Sequence, residues 1–183
     1  MTAICLETPR LLLRPHTMSD LTDFYALNSV WEVVKYTGDA PMQRWEEAEK
    51  VLQEVVFPQY ERYGHGRMAV ILKKTGEYLG WCGLKYLEEE NEIDVGYRFS
   101  EAHWGKGYAT ESAKICLNDG FVRLQLQRVI GEIDTENAAS RQVLLKCGMT
   151  FVKKYQTPII EPNDWLEQYW LERPNFIKNN LYL

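Results

Sequence analysis

Two glycines and a lysine stand between a strand-like stretch and a helix-like one in Trp104-Gly-Lys-Gly-Tyr-Ala-Thr-Glu111. Gly105 and Gly107 permit positive φ and close approach of a ligand to the main chain. The unpaired N–H groups that open a helix, together with its dipole, suit phosphate oxygens, and Lys106 adds a cation. Spacing alone is satisfied equally well by a plain helix entry with two turn glycines. Two phosphate loops fail against it. No Gly-Lys-Ser/Thr occurs for GxxxxGK[ST], and Thr110 occupies the third glycine of GxGxxG, with no acidic residue closing a second strand about 20 residues on. Other groups able to do chemistry are scattered. Asp94 lies on a strand, Ser140 follows Asn137 at the start of a short helix, and Glu161 lies in Pro158-Ile-Ile-Glu-Pro162. Cys5, Cys82, Cys116 and Cys147 form no CxxC and do not cluster with His16, His65 or His103. That spacing fits neither a zinc site nor a disulfide framework, so no metal is expected and the thiols read as reduced, in a cytoplasmic protein.

The elements that position these residues follow from periodicity. Arg10-Leu-Leu-Leu-Arg14 before Pro15 is a short strand, and Ser19-Asp20 caps a helix carrying Leu21, Phe24, Tyr25 and Asn28. A second helix over about 44–63 should be kinked or divided at Pro58 and ends at Gly64. Strands over 68–73, 78–87 and 92–99 follow with short turns, forming an antiparallel meander. In the last, Ile93, Val95, Tyr97 and Phe99 alternate with Glu92, Asp94, Gly96 and Arg98, giving one apolar and one mixed face. The glycine loop then opens a helix, and Arg128 to Ile133 is the next strand, so a right-handed crossover makes this pair parallel. Asn137 caps a helix ending at Gly148, strands over 149–155 and 165–173 close the fold, and the tail 174–183 is weakly specified. The expectation is a single α/β domain over 1–183, core about 6–173, with a mixed, mostly antiparallel sheet flanked by helices.

Composition narrows the function. A chain of 183 residues with 45% hydrophobic and 26% charged residues is an ordinary globular fold. Its net charge of -5 would repel a phosphate backbone, so nucleic-acid binding is not expected. No apolar run reaches bilayer-spanning length and no cleavable leader is apparent, so no membrane role is expected. A homodimer is compatible with all of this.

A third phosphate pattern fits the loop, which resembles the [Q/R]xxGx[G/A] motif of the GNAT N-acetyltransferases, with Gly107 and Ala109 on its small positions. The resemblance extends to the ribosomal-protein-alanine (RimJ/RimL-type) branch. Leu6-Glu-Thr-Pro-Arg-Leu-Leu-Leu-Arg-Pro15 with Asp20 looks like its N-terminus. Ile93-Asp-Val-Gly-Tyr97 through Glu111 looks like its coenzyme strand and loop, and Asn137-Ala-Ala-Ser140 is similar to its NxxS helix. Asp164, Tyr169, Leu171 and Arg173 are similar to its last strand. Three departures stand out: Trp104 replaces the motif's Gln/Arg, Leu144 stands where many members carry a tyrosine that protonates the thiolate, and Met149 replaces an aromatic.

What the resemblance implies is an acetyl-CoA-dependent N-acetyltransferase acting on a primary amine, either a protein N-terminal α-amine or a small molecule. The strand ending at Phe99 would splay from the strand after Arg128 to admit pantetheine. Main-chain N–H groups of Phe99 and Ser100 would face the thioester as an oxyanion hole. Trp104, Gly105, Lys106, Gly107, Tyr108, Ala109, Thr110 and Asn137 would bind the coenzyme. Ser140 is the acid candidate; its null role is bonding a backbone group of its own helix. Asp94 and Glu161 compete as base, each equally well explained as a solvated or substrate-binding acid. Trp31, Tyr36 and Trp45 could wall the acceptor cleft or belong to a core stripe. The rival readings are a non-catalytic acyl-CoA-binding or regulatory module, and a nucleotide-dependent enzyme.

Overall fold

The computed structural model describes residues 4–156 and 165–178. In chain order the strands are β1 (Leu6–Glu7), β2 (Leu11–Pro15), β3 (Arg67–Leu72), β4 (Glu77–Leu87), β5 (Glu92–Phe99), β6 (Arg128–Asp134), β7 (Thr150–Gln156) and β8 (Trp165–Glu172). The helices are α1 (Leu21–Asn28), α2 (Trp31–Val34), α3 (Trp45–Val51), α4 (Phe57–Tyr63), α5 (Tyr108–Val122), α6 (Ala138–Lys146) and α7 (Arg173–Lys178). All strands join one sheet in the order β1-β2-β3-β4-β5-β6-β8-β7. The meander β3-β4-β5 is antiparallel as the short turns require, and β5 and β6 are parallel across the α5 crossover.

Alternation along the strands supplies both cores. Leu11, Leu13, Val70, Cys82, Val95, Phe99, Val129 and Leu171 meet Ala113, Cys116, Leu117 and Phe121 of α5 and Leu144 of α6 on one side. On the other, Phe24, Ala48, Leu52, Val56 and Tyr60 pack under α1, α3 and α4. The four cysteines are free and all but Cys5 are buried. Among the described residues no helix is long and apolar enough to cross a membrane.

Local chemistry refines the sequence-based expectations at three places. Asp20 is not the side-chain cap of α1. Its carboxylate accepts from the Thr17 main-chain N–H at 2.8 Å and from Arg14, as the acidic partner of a capping box around the 3₁₀ turn Met18–Asp20. At Pro58 the helical path from Trp45 to Tyr63 is divided, as expected, by a π turn over Leu52–Val56. The proline then sits in the first turn of α4, where a missing N–H costs nothing. The weakly specified tail begins as α7, because Phe176 buries its ring against Phe121 with centroids 4.7 Å apart. Gln127 holds the turn by accepting from the Arg173 N–H.

Candidate active site

The parallel β5–β6 pairing has a single register pair, Asp94 with Ile130, whereas the other extended pairings run for five or more. Beyond Val95 the two strands therefore separate, leaving the edge of β5 open. Which groups line that opening follows from the β4 ladder. Ser100 N–H donates to the Leu79 carbonyl at 3.1 Å, so the even positions of β5 bond to β4. The N–H and C=O groups of Tyr97 and Phe99 consequently point into the gap. This corrects one expectation: Ser100 has its N–H committed to β4, and Phe99 alone presents a main-chain donor at the strand end. The Phe99 carbonyl is taken by the Trp104 indole N–H at 2.7 Å. Trp104 thus clasps the loop to the strand, and its one polar hydrogen is not available to a phosphate.

In the loop the backbone turns left-handed twice. Gly105 and Gly107 have φ of +72° and +81°, values that disfavour any side chain. Trp104 N–H bonds to Glu101, and the next main-chain donor with an acceptor is Glu111, to Gly107. Between them, from Gly105 through Thr110, the N–H groups donate to no group among the described residues. They form a run of unpaired donors at the positive end of a 15-residue helix. Arg10, which the sequence reading assigned only to a strand, lies against this loop. Its Nε donates to Glu111 at 2.6 Å, its Nη1 to the Lys106 carbonyl at 3.0 Å, and its guanidinium lies 4.5 Å from the Tyr108 ring centre. Thr8 donates to the same Glu111 carboxylate at 2.5 Å. Burial pushes the Glu111 carboxyl up, but the Thr8 and Arg10 hydrogen bonds outweigh it and hold it below its ordinary range.

At the helix after β6, Asn137 accepts from the Ser140 N–H at 3.0 Å, the expected cap. Tyr97, reaching across from β5, donates its phenol to the Ser140 carbonyl at 3.1 Å. Burial raises that phenol far above its usual range, so it stays protonated as a strut. The Ser140 hydroxyl lies beside the Tyr97 phenol and bonds no backbone group of its own helix among the described residues. Leu144 is buried, packed over Gly131.

The face of the sheet away from α5 carries the carboxylates. Asp94 is ion-paired with Arg67, the two side chains being 14% and 15% exposed. Arg67 also lies over Trp81, 5.5 Å from its ring centre. Arg98 is bonded to Asn28 and to Asp39, which ties the 35–44 loop to β5. Glu92 is paired with Arg128. Glu132 differs from all of these. It lies on β6 two residues beyond Ile130, on the same face as Asp94, beside the opening. It accepts from the Gln168 amide at 2.7 Å and from the Tyr155 phenol, and makes no ion pair among the described residues. Burial, and then the Glu132 carboxylate itself, push the Tyr155 phenol up, so it remains a donor.

Sequence reasoning missed Glu132, although the alternation of Arg128, Ile130, Glu132 and Asp134 with Val129, Gly131 and Ile133 marks it as facing the same way as Asp94. Glu161 lies outside the described residues. Trp31 and Trp45 are 59% and 52% exposed, so neither belongs to a core stripe. No group of three His, Cys, Asp or Glu placed to hold a metal occurs among the described residues.

Comparison with known proteins bears on this site. The family model described as an acetyltransferase (GNAT) domain matches residues 10–150, which include β5, the glycine loop, Glu132 and α6. Uncharacterized protein YkkB of Bacillus subtilis (strain 168) is 40% identical over 92 residues, or 48% of this chain; the match spans about half (54%) of that relative's length. Uncharacterized N-acetyltransferase YoaA of the same organism is 33% identical over 78% of this chain and 81% of its own. Among solved structures, an acetyltransferase (GNAT family) from Bacillus anthracis superposes with a TM-score of 0.81 at 22% identity, covering 93% of this chain and 99% of that one. Spermidine N-acetyltransferase from Vibrio cholerae, in complex with CoA and spermine, does so with 0.78 at 17% identity and the same coverages. At these identities the two structures speak for the fold.

Proposed function

The chain belongs to the acetyltransferase (GNAT) family and is an N-acetyltransferase, and from that premise we propose that it moves the acetyl group of acetyl-CoA directly onto a primary amine seated on the Glu132 face of the sheet. The observation that carries this reading is the coincidence of two open structures. A run of unpaired N–H groups at 105–110 lies beside a parallel strand pair that parts after Asp94.

Acetyl-CoA supplies an activated acyl carbon, and the residues present fit it. The loop N–H groups and Lys106 would hold the diphosphate, and the open edge of β5 at Tyr97 and Phe99 would pair with the pantetheine amides. The Phe99 N–H would donate to the thioester oxygen as charge develops there. On attack the amine nitrogen bonds the carbonyl carbon, the C–S bond breaks and its electron pair leaves on sulfur. Glu132 takes the amine's proton, directly or through water, and the Ser140 hydroxyl, beside the Tyr97 phenol, donates towards sulfur. Asp94 is assigned to holding Arg67. Glu161, the other base candidate, lies outside the described residues.

The acceptor is a protein N-terminus or a small-molecule amine. An α-amine, with a pKa of about 8 against about 10 for a lysine, needs less deprotonation before attack. The RimJ/RimL-type pattern at 6–20, 93–111 and 137–148 supports the N-terminal acceptor. The V. cholerae spermidine N-acetyltransferase supports the small-molecule one. Buried free thiols suit work in the cytoplasm. The deciding experiment measures thiol release from acetyl-CoA against Ala- and Ser-starting peptides and polyamines. Turnover with one class assigns the acceptor. CoA binding without turnover on any amine would replace this reading with a non-catalytic acyl-CoA-binding module.

A further inference from the structure

We propose that Arg10 is a positioning residue for the coenzyme, holding the glycine loop in its diphosphate-binding shape from the β1–β2 turn almost a hundred positions earlier. The inference rests on reading residues 105–110 as the coenzyme cradle, and deepens it.

Three observations converge on this side chain. The Lys106 carbonyl accepts from Arg10 Nη1 at 3.0 Å. A trans peptide is planar, so its C=O and N–H point in opposite directions. Fixing the Lys106 carbonyl towards Arg10 therefore turns the Gly107 N–H away from it, towards the side on which the neighbouring loop donors are free. With glycine on both sides of Lys106, little else restrains that peptide from turning over. Second, Arg10 Nε and Nη2 both lie 2.6 Å from Glu111, and its own main-chain N–H reaches the same carboxylate at 3.2 Å. Glu111 is in the first turn of α5, where its negative charge would otherwise oppose an arriving diphosphate. The fork geometry of a guanidinium neutralises that charge and still leaves an N–H for Lys106, which an ammonium on a flexible stem does not match. Third, the Tyr108 ring lies 4.5 Å from the guanidinium carbon, fixing its plane. The arginine is spent on the protein, so it acts on the coenzyme through the loop.

The test is direct titration of Arg10→Met with CoA and, separately, with pantetheine, which lacks the diphosphate. Loss of one charge-assisted hydrogen bond network should weaken CoA binding about tenfold or more. Pantetheine affinity should change by less than about twofold, because its contacts are to β5. In steady-state assays KM for acetyl-CoA should rise by the same factor while kcat stays within about twofold. The double variant Arg10→Met/Glu111→Gln should regain part of the CoA affinity by removing the uncompensated carboxylate. Full recovery would assign the whole effect to charge and overturn the positioning role. Equal weakening towards CoA and pantetheine would mark a general loss of structure and overturn it too. Should Arg10→Met fail to fold, Arg10→Lys keeps the charge without the fork, and wild-type CoA affinity in that variant would refute the inference. Wild-type protein that binds no CoA would overturn the cradle itself, whereas binding by wild type with unchanged affinity in Arg10→Met would overturn only the role of Arg10.

Discussion

Replacing Glu132 with glutamine separates proton transfer from everything else the site does. Both hydrogen bonds to this side chain, from Tyr155 and from Gln168, fall on the same carboxylate oxygen. A glutamine carbonyl can accept both, so the fold loses only the difference between charge-assisted and neutral hydrogen bonds, roughly 1 kcal/mol. For a chain of this size that shifts Tm by about 2–4 °C. What the amide cannot do is take a proton. General-base assistance is worth about 10²- to 10⁴-fold in rate, or about 3–5 kcal/mol of barrier. Turnover of the preferred amine should therefore fall by that factor, with KM for acetyl-CoA unchanged because Glu132 lies away from the loop. Raising the pH should rescue the variant partially, as more amine arrives already neutral. Asp94→Asn is the matched control. It strips Arg67 of its partner in a mostly buried setting, so it should cost stability, roughly 1–3 kcal/mol, and less turnover than Glu132→Gln. Acetyl-CoA consumption followed by thiol release, across pH 6 to 9, reads both. Glu132→Gln turning over within about threefold of wild type at every pH would refute the assignment. The reverse ranking of the two variants would return the base to Asp94.

Other expectations follow from single positions. Gly107→Glu puts a side chain at φ +81° and a carboxylate among the loop donors, so CoA binding should be abolished; unchanged affinity in a folded variant would remove the cradle from this loop. Ser140→Ala should lower turnover about tenfold with CoA affinity kept, and wild-type turnover across pH would take the hydroxyl out of the mechanism. Burial pushes the His16 imidazole down to about 4 from an unfolded value of about 6.5, so the unfolded chain binds its proton more tightly. Stability from this group is whole above pH 6.5 and lost as pH falls towards 4, about 2 kcal/mol of it between pH 7 and pH 5. Urea unfolding at the two pH values checks this, and equal stabilities would contradict it.

Much of the frame was legible because its causes are local. The glycine loop, the alternation in β5 and the Asn137 cap each depend on residues within a few positions of one another. Gly105 and Gly107 do take positive φ, and Asn137 does accept from Ser140. The two-residue strand β1 and the helix α7 escaped notice because neither has a period long enough to read. Each exists through its partner: Leu13 and Leu12 across a tight turn for β1, Phe121 far along the chain for α7. The bond made by Trp104 escaped notice for a related reason: the sequence shows it as a replacement in a motif, whereas its indole closes on a carbonyl that only the strand's phase leaves free.

By itself the sequence determined a single α/β domain with two turn glycines opening a long helix and a parallel crossover beside it, since backbone conformation and amphipathic period are written in short windows. It did not determine which acids are available. Asp94 and Glu132 are alike in type and in face, and what separates them is that Arg67 reaches one while Tyr155 and Gln168 reach the other. Charge compensation falls off with distance through space and not along the chain. Only the folded arrangement of β3, β5, β6, β7 and β8 could therefore decide which carboxylate carries an ion pair and which does not.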